Sequence, residues 1–88
     1  MPAPSTAIVN VRVLLFASYA DRLGLDSVRV ALPALATVAD ALEHVRSLPG
    51  GAQIPPRPLC AVNLAHVGLD TRLTEGDEVA LLPPLAGG

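Results

Sequence analysis

The sequence predicts a small α+β domain in which a mixed β-sheet packs on one main helix. The chain has 88 residues, 51% of them hydrophobic, which is enough for one core and too apolar for a disordered chain. Several short segments alternate between apolar and polar residues, as strands with one covered face do. Only residues 37–48 carry apolar residues at helical spacing between start and stop signals. We expect one domain over residues 1–88, with a flexible leader at 1–7 and an extended C-terminal tail at 83–88.

Alternating residues predict the first strand over residues 8–17. Asn10 and Arg12 are expected to lie on the outward face. The alternation fails towards the end of the strand, where Leu14 and Phe16 are apolar although they lie on the same outward face. The inward face is formed by Val9, Val11, Val13 and Leu15.

A short helical turn over residues 18–25 and a second strand over residues 27–32 come next. Gly24 is expected to end the turn, because glycine readily adopts the left-handed conformation found at helix C-termini. The short link predicts that the two strands form a hairpin. The second strand directs three apolar residues inward, namely Val28, Val30 and Leu32.

The main helix is predicted to begin at Thr37, whose side chain can cap the first N–H groups. Asp40, three residues later, stands where the acid of a capping box lies and favours the positive end of the helix dipole. The run Pro49-Gly50-Gly51 is expected to end the helix. The apolar stripe of the helix consists of Val38, Ala41, Leu42, Val45 and Leu48.

The second half of the chain predicts a loop and three strands. Residues 49–58 contain four prolines and two glycines and are predicted to form the loop. Residues 59–63 form a short apolar strand, and residues 66–69 form a weaker one. Gly76 lies in a turn, where it is able to adopt a positive φ, and this turn leads into the last strand, residues 78–82.

The order β-β-α-β-β-β suits the β-grasp arrangement of ubiquitin, a small mixed sheet wrapped around one helix. If the first and last strands lie parallel and adjacent, their C-terminal ends meet at the start of the tail. An outward apolar patch would then lie beside the tail, and exposed apolar patches usually mark interfaces. The alternative is that a loop of this chain covers the patch. Its members would be Leu14, Phe16, Ala80 and Leu82, with His66 at the border.

Composition and charge argue against several classes of protein. The net charge is −2 and the six positive charges are scattered arginines, so nothing supports nucleic-acid binding. No apolar run approaches the roughly 18 residues of a membrane helix. The N-terminus also lacks the pattern of a signal peptide. We therefore expect a cytoplasmic protein that binds neither nucleic acid nor membrane.

The remaining polar residues do not predict an active site within the domain. Cys60 is the only cysteine, which excludes an intramolecular disulfide, and its apolar strand predicts a small core residue. His44 is expected to be solvated, and His66 lacks an accompanying acid and nucleophile. No phosphate loop or metal site is predicted. A solvated acidic surface, or alternatively a docking surface for a basic patch, is predicted from Asp70, Glu75, Asp77 and Glu78.

The C-terminal tail carries the chemistry that the domain lacks. A carboxylate is a poor acyl donor until it is activated, typically as an acyl-adenylate formed from ATP, and a partner must supply that nucleotide site. The activated carbonyl then accepts sulfur, which gives a thiocarboxylate, or a lysine amine, which gives an isopeptide. Six extended residues reach about 20 Å at most, far enough to enter a cleft on a partner. They are Pro83, Pro84, Leu85, Ala86, Gly87 and Gly88, and the two glycines remove bulk around the reacting carbonyl.

Three stretches of the chain have a familiar pattern. Residues 11–17 end in Leu-Phe-Ala, and residues 59–63 contain Ala-Val-Asn. The most specific stretch, residues 73–88, has a Gly-Asp-Glu-Val turn, an apolar strand, Pro-Pro and a terminal Gly-Gly. On these residues the chain resembles the small subunit of molybdopterin synthase, in the MoaD-like branch of the ubiquitin-like sulfur carriers (the MoaD/ThiS superfamily). The resemblance spans nearly the whole chain after the leader and is weakest in residues 18–58.

The resemblance implies a sulfur carrier without an active site of its own. In that family a ubiquitin-activating-type enzyme adenylates the terminal glycine with ATP and Mg. A sulfur donor such as a cysteine desulfurase or rhodanese then provides the sulfur of a thiocarboxylate. The tail enters the large subunit, which holds the catalytic residues. There the sulfur passes to cyclic pyranopterin monophosphate and forms the molybdopterin dithiolene.

Carried over to this chain, the resemblance makes Gly88 the sulfur-bearing residue and Gly87 its narrow neighbour. The family assembles as a heterotetramer with two copies of each subunit, and the carrier itself is expected to bind no cofactor. Phe16, His66 and Leu82 fall where the family makes apolar contacts with its partners. His66 departs from the usual aliphatic residue at that place.

Other functions stay open at this level. A sulfur carrier for cysteine, tRNA thiolation or thiazole synthesis has the same tail chemistry, although thiazole carriers are usually shorter and lack Pro-Pro before the glycines. A ubiquitin-like modifier joined to target lysines is a second class. The chain contains no lysine, which forbids only chains built on itself. A plain β-grasp interaction module with incidental glycines fits the specific ending poorly.

Overall fold

Five strands and two α-helices make up the part of the chain that this computed structural model describes, residues 8–83. None of these helices is long and apolar enough to cross a membrane. A short 3-10 helix, Gly51–Gln53, lies between the second α-helix and the third strand. In chain order the elements are β1 (Ile8–Leu15), α1 (Ser18–Leu23), β2 (Ser27–Pro33), α2 (Val38–Arg46), β3 (Leu59–Val62), β4 (Ala65–Val67) and β5 (Glu78–Leu82).

The strands form one mixed sheet in the order β2-β1-β5-β3-β4. β1 and β5 are parallel neighbours, and the other neighbouring pairs are antiparallel. The last strand of the chain, β5, therefore lies at the centre of the sheet, between β1 and β3. A mixed sheet of this kind packed on one main helix confirms the predicted α+β fold class and the β-grasp arrangement.

The core lies between the inner face of the sheet and α2. The inward residues of the two central strands are fully buried, with 0% exposure for Val13, Val79 and Leu81. Complete burial of such a side chain contributes roughly 1.5–3 kcal/mol each. The predicted stripe of α2 faces this core through Val38, Ala41, Leu42 and Val45.

Thr37 is the N-cap of α2, as predicted. Its backbone N–H donates a hydrogen bond to Oδ2 of Asp40 at 2.8 Å, so the acid closes the capping box. The helix ends at Arg46, earlier than predicted, and Leu48 lies beyond it and is half-buried. Helical backbone is disfavoured for a residue that directly precedes a proline. Leu48 precedes Pro49, so the helix does not continue through Leu48.

β1 is two residues shorter than predicted, because the chain turns at Phe16 and Ala17. Ala17 has a φ of 52°, in the left-handed region, and this ends the extended backbone. The carbonyl of Phe16 accepts the N–H of Tyr19 at 3.1 Å, which starts α1. Phe16 therefore stands just beyond the strand and keeps 43% of its surface exposed.

A two-residue turn, Asn63-Leu64, joins β3 to β4 and changes the predicted bounds of both strands. The two residues have φ values of 50° and 75°, as a type I′ hairpin turn requires. The prediction that Asn63 belongs to a strand is therefore wrong. β4 begins at Ala65 and ends at Val67, earlier than predicted. The sequence lacks the glycine that usually marks such a turn.

The remaining predicted elements agree closely with the structure. β5 has the predicted bounds, and β1 and β2 form the predicted antiparallel pair. Gly24 ends α1 with a φ of 71°, and Gly76 has a φ of 84° in the turn before β5. The two glycines therefore serve the turns for which the sequence predicted them.

The proline-rich loop contributes a core residue that the sequence did not predict. Ile54 directly follows the 3-10 helix and is 0% exposed. Its carbonyl accepts a hydrogen bond from Nε of Arg46 at 2.8 Å, which ties the loop to the end of α2. A Cβ on Gly51 would collide with the carbonyl oxygen of Val45, so the close approach of loop and helix requires glycine there.

Candidate functional site

β1 and β5 end at the same edge of the sheet, because they are parallel and in register. Leu14 lies beside Ala80, and Leu15 lies beside Leu81. β5 ends one residue later at Leu82, and Pro83 follows it. The start of the C-terminal tail therefore lies next to the end of β1, as the sequence predicted for parallel, adjacent strands.

The outer face of the sheet, opposite α2, is apolar beside the start of the tail. The register places Leu14, Ala80, Ala61 and His66 in one row across four strands. None of these four residues belongs to the buried core cluster or packs against it. We call this surface the tail-root patch, and its members are Leu14, Phe16, Leu59, Ala61, His66, Ala80 and Leu82.

The tail-root patch is partly open to solvent. Phe16 is 43% exposed and Leu59 is 46% exposed, whereas Leu14 and Leu82 are half-buried. Ala61, in the middle row, is only 7% exposed. Short side chains thus occupy the middle of the patch, and larger apolar side chains lie at its tail end. Exposed apolar surface of this kind on a small domain is typical of an interface.

Leu59 is a member of the patch that sequence reasoning missed. It lies opposite Leu82 in the antiparallel pair of β3 and β5. The signal was present in the alternation: Cys60 is a core residue of the same strand, so its neighbour Leu59 must face outward. The strand was too short and too uniformly apolar for the alternation to stand out.

An ion pair borders the patch on the side away from the tail. Nη1 of Arg12 lies 3.5 Å from Oε2 of Glu78, and the two residues are paired in the register of β1 and β5. Both side chains are about half exposed, so the pair adds little stability. Its effect is to separate the apolar row of Leu14 and Ala80 from the polar end of the sheet.

The predicted site residues divide into those that the structure describes and those that it does not. It brings Leu14, Phe16, Leu82 and Pro83 to one edge of the sheet and places His66, exposed, in the row of Leu14. The predicted partner contacts of these residues stay predictions. Outside the described residues lie Pro84, Leu85, Ala86, Gly87 and Gly88.

Three of the four acids near the last turn are bound by the chain itself. Glu75 accepts the backbone N–H of Asn10 at 2.8 Å, and Glu78 pairs with Arg12. They stabilise the approach to β5. Asp70 and Glu75 are exposed, and the predicted solvated acidic surface, like its alternative of a docking surface for a basic patch, stays a prediction. Of the four, only Asp70 has no hydrogen bond or ion pair from its carboxylate within residues 8–83.

Asp77 has the most extensive hydrogen bonding of these acids. Burial alone would raise the pKa of its carboxyl group, but donors from Thr74 and Asn63 outweigh this and hold the pKa below its ordinary value. The Thr74 N–H donates to Oδ2 at 2.8 Å, and Nδ2 of Asn63 donates to Oδ1 at 2.9 Å. The carboxylate therefore joins the β3–β4 turn to the turn before β5.

Within residues 8–83, the titratable and nucleophilic groups do not form an internal active site. Cys60 is 4% exposed, and burial raises the pKa of its thiol, so it is a poor nucleophile. Tyr19 is buried too; burial raises the pKa of its hydroxyl, and the neighbouring Cys60 raises it further. No group of metal-ligating side chains occurs in this part of the chain. His44 is exposed on α2, as predicted.

The comparison with protein families decides where the chain belongs. The model of the ThiS family matches residues 13–88, which include β5 and residues 83–88. This chain belongs to the ThiS family. This membership agrees with the resemblance found in the sequence. The chain has a β-grasp sheet, an apolar outer face beside the last strand and a terminal Gly-Gly.

Similar proteins agree with this membership. The ThiS-family chain is 37% identical over 84 residues to the molybdopterin synthase sulfur carrier subunit of Drosophila yakuba, and the match covers 92% of this chain and 93% of that protein. Among solved structures, small archaeal modifier protein 1 from H. volcanii has a TM-score of 0.79 at 27% identity. That match covers 88% of this chain and 99% of the modifier chain.

A second similar structure shares the fold at lower identity. It comes from a protein–protein complex of subunits 1 and 2 of the molybdopterin-converting factor from Helicobacter pylori 26695. The matched chain has a TM-score of 0.66 and 22% identity, and the match covers 91% of this chain and 100% of that chain. This chain therefore shares the β-grasp fold with both solved structures.

Proposed function

We propose that this chain is the sulfur carrier subunit of a molybdopterin synthase. The observation that carries the proposal is the parallel register of β1 and β5, with Leu15 beside Leu81. It joins an apolar outer surface to the strand from which a Gly-Gly tail continues. Membership of the ThiS family and 37% identity to a molybdopterin synthase sulfur carrier subunit support the same function.

The reactive group in this proposal is the carboxylate of Gly88. A partner enzyme transfers AMP from ATP to this carboxylate and releases pyrophosphate. The Mg that this step uses belongs to the partner enzyme. The persulfide of a sulfur donor such as a cysteine desulfurase or rhodanese then displaces AMP and forms an acyl disulfide with the Gly88 carbonyl. A second thiol attacks the donor's sulfur in this disulfide, which leaves a thiocarboxylate on Gly88 and a new disulfide between the two thiols. The thiocarboxylate passes its sulfur to cyclic pyranopterin monophosphate. The domain contributes position and recognition, and the partners contribute the nucleotide site and the catalytic residues.

The proposed partners share one surface. The large subunit of the synthase and the adenylating enzyme both require the tail, so both must approach the edge of the sheet where Leu82 and Pro83 lie. The tail-root patch is the apolar surface next to this edge, and Phe16 and Leu59 are its most exposed large side chains. The solved complex of the two Helicobacter pylori subunits supports a large-subunit partner. We expect two copies of each subunit.

The proposal is tested by the intact mass of the full chain. We incubate it with the adenylating enzyme from the same cell, ATP, Mg²⁺ and a cysteine desulfurase with cysteine. The mass should rise by the difference between sulfur and oxygen. A variant that lacks Gly87 and Gly88 is the control and should keep its mass. An unchanged mass of the wild-type chain, with an adenylating enzyme active on its own substrate, would contradict the proposal.

The pathway is tested in a second step. The thiocarboxylated chain is mixed with the synthase large subunit and cyclic pyranopterin monophosphate, and molybdopterin is measured. Formation of molybdopterin supports the proposed pathway. Thiocarboxylation without molybdopterin would redirect the carrier to another sulfur acceptor, such as a cysteine, tRNA or thiazole synthesis pathway.

A protein modifier is the second candidate function. The structural likeness to small archaeal modifier protein 1 of H. volcanii, at 27% identity, favours it. The activated Gly88 carbonyl would then form an isopeptide with a lysine of another protein, because this chain has no lysine of its own. Trypsin cleaves this chain last at Arg72, so tryptic peptides of the native cell that carry residues 73–88 on a lysine would support this function.

A further inference from the structure

A groove with a volume of about 480 Å³ lies beside the tail-root patch, between the end of β1 and the start of β2. Leu14 and Phe16 form its wall on the side of the patch, and Ala17 and Ala20 line it from the segment that enters α1. Two of these residues belong to the patch itself. A protein that covers the patch therefore meets the mouth of the groove.

A second groove, of about 460 Å³, continues from the first along α1. The two grooves share Ala20 and Asp26, and the second is also lined by Asp21 and Leu25. Leu25 is 47% exposed, so the apolar surface extends past the shared residues. Together the grooves form one trough that runs from Phe16 to Leu25.

The trough is acidic at its shared segment. Asp21 and Asp26 are exposed, and neither carboxylate forms an ion pair within residues 8–83. Arg12, the one cationic residue that lines the trough, pairs with Glu78 at 3.5 Å. Arg22 follows Asp21 in α1, but its Nη1 donates to Oε1 of Gln53 at 3.1 Å, away from the trough. Uncompensated negative charge therefore adjoins an apolar lining.

We propose that this trough binds a segment of the synthase large subunit in which an apolar side chain is followed by an arginine or lysine. The apolar side chain lies against Phe16 and Ala20, and the cation lies between Asp21 and Asp26. This inference rests on the proposed function, since it assumes that the large subunit covers the tail-root patch. Charge complementarity selects a basic segment, and continuity with the patch selects a protein that holds the tail. The large subunit is the one of these that stays assembled with the carrier in the proposed synthase, since the 37% identical relative is named a subunit of molybdopterin synthase.

Ala20 is the residue that keeps the trough open. It is half-buried, it lines both grooves, and it lies in the middle of α1. The Ala20→Met variant keeps a good helix former and adds a flexible side chain that fills the shared segment. We expect at least about a tenfold loss of affinity for the large subunit, because the methionine side chain occupies the space that the apolar side chain of the bound segment needs.

The acidic part is tested by the double variant Asp21→Asn, Asp26→Asn, which changes charge and leaves shape. We expect affinity for the isolated large subunit to fall about three- to tenfold at low salt, as for charges at the rim of an interface. The dependence of affinity on salt should also become weaker. The matched controls are Ala39→Met on α2 and Asp70→Asn in the loop before β5, which lie outside the trough.

The outcomes separate this inference from the proposed function. If the wild-type chain binds the large subunit and both trough variants bind equally well, the trough inference is overturned and the proposed function stands. The same holds if the variants lose affinity only for the adenylating enzyme. If the wild-type chain does not bind the large subunit at all, both fail. Thermal unfolding of each variant shows whether the fold is retained, and the charge variant covers the case in which Ala20→Met does not fold.

Discussion

Leu59 of β3 lies directly opposite Leu82 of β5 on the outer face of the sheet. Leu82 is the last residue of β5 and Pro83 follows it, so this pair is the part of the regular structure nearest to the tail. Leu59 is 46% exposed although it lies within a strand. A protein that binds the residues beyond Pro83 must therefore lie close to this leucine pair.

Charged substitutions on the tail-root patch should remove partner binding and keep the fold. Phe16→Asp and Leu59→Asp change side chains that are 43% and 46% exposed, so the core is not opened. An apolar anchor at the centre of an interface is worth about 2 kcal/mol or more, which corresponds to a loss of affinity of roughly 30-fold or more. Leu82→Asp is expected to act in the same direction.

The measurement is the affinity of the large subunit for each variant by calorimetry, next to thermal unfolding of the variant alone. Ile8→Asp is the matched control, because Ile8 is 58% exposed at the opposite end of β1. It should bind like the wild-type chain. Equal affinity of Phe16→Asp and the wild-type chain would rule out the tail-root patch as the docking surface.

Ile54→Ala should destabilise the domain although Ile54 lies in a proline-rich loop. The side chain is 0% exposed, and its removal leaves a cavity in the core. We expect the free energy of unfolding to fall by about 2–5 kcal/mol. Leu25→Ala, at a leucine that is 47% exposed, should change it by only about 0.5 kcal/mol. Urea unfolding measures both, and similar effects of the two variants would contradict the assigned burial.

The stability of the domain should depend on the ionisation of Asp77 in acid. Its pKa is lower in the folded chain than in the unfolded chain, so its contribution is present above the ordinary value of about 3.9. The contribution is lost as the pH falls through the folded pKa. Asp77→Asn keeps the size of the side chain and removes this titration.

Urea unfolding between pH 7 and pH 2 tests the role of Asp77. The wild-type chain should lose more stability across the acidic window than Asp77→Asn does, with the difference confined to pH values below about 5. Asp70→Asn is the control, because no donor within residues 8–83 contacts its carboxylate, and it should follow the wild-type curve. Parallel curves for Asp77→Asn and the wild-type chain would show that the hydrogen bonds do not favour the ionised form.

Leu64→Gly should stabilise the domain. Leu64 is 97% exposed and has a φ of 75°, so the leucine has little packing to lose and pays for a left-handed backbone. Glycine at this place forms the Asn-Gly turn that two-residue hairpins prefer. After the entropy cost of glycine, we expect a gain of about 0.5–1 kcal/mol.

Thermal and urea unfolding measure this gain. Leu25→Gly is the control of opposite sign, because Leu25 is exposed but does not have a positive φ. It should lower the melting temperature, since glycine there only increases the freedom of the unfolded chain. A lower melting temperature for Leu64→Gly as well would contradict the left-handed conformation of Leu64.

Much of the sheet was predictable because its central strands alternate. Val11, Val13 and Leu15 are separated by outward residues, and β5 has turn signals on both sides, so its bounds were predicted to the residue. The parallel contact of β1 and β5 followed from the β-grasp order rather than from any local signal. Local patterns determine which face of a strand a residue lies on. They do not determine which strands pair, and strands whose paired residues are 66 positions apart can be matched only once the fold is known.

The errors have equally local causes. The Asn63-Leu64 turn lacks glycine, so an apolar residue in a left-handed conformation was hidden in what reads as a continuous apolar segment. Ile54 was missed because prolines and glycines around it indicate a loop, and loop composition says nothing of a single buried anchor. Leu59 was missed because a four-residue strand is too short for alternation to stand out. Tertiary packing decides the burial of Ile54, whereas the turn and the outward face of Leu59 were missed because their local signals are weak.

The central place of β5 has a mechanical consequence. When a partner releases the tail, any pull on the residues beyond Pro83 is transmitted along the axis of β5. Four register pairs with β1 and four with β3 resist that pull in shear, on both sides of the strand at once. An edge strand would be peeled away one hydrogen bond at a time. We therefore expect a carrier that withstands repeated insertion and withdrawal of its tail without local unfolding of the strand that bears it.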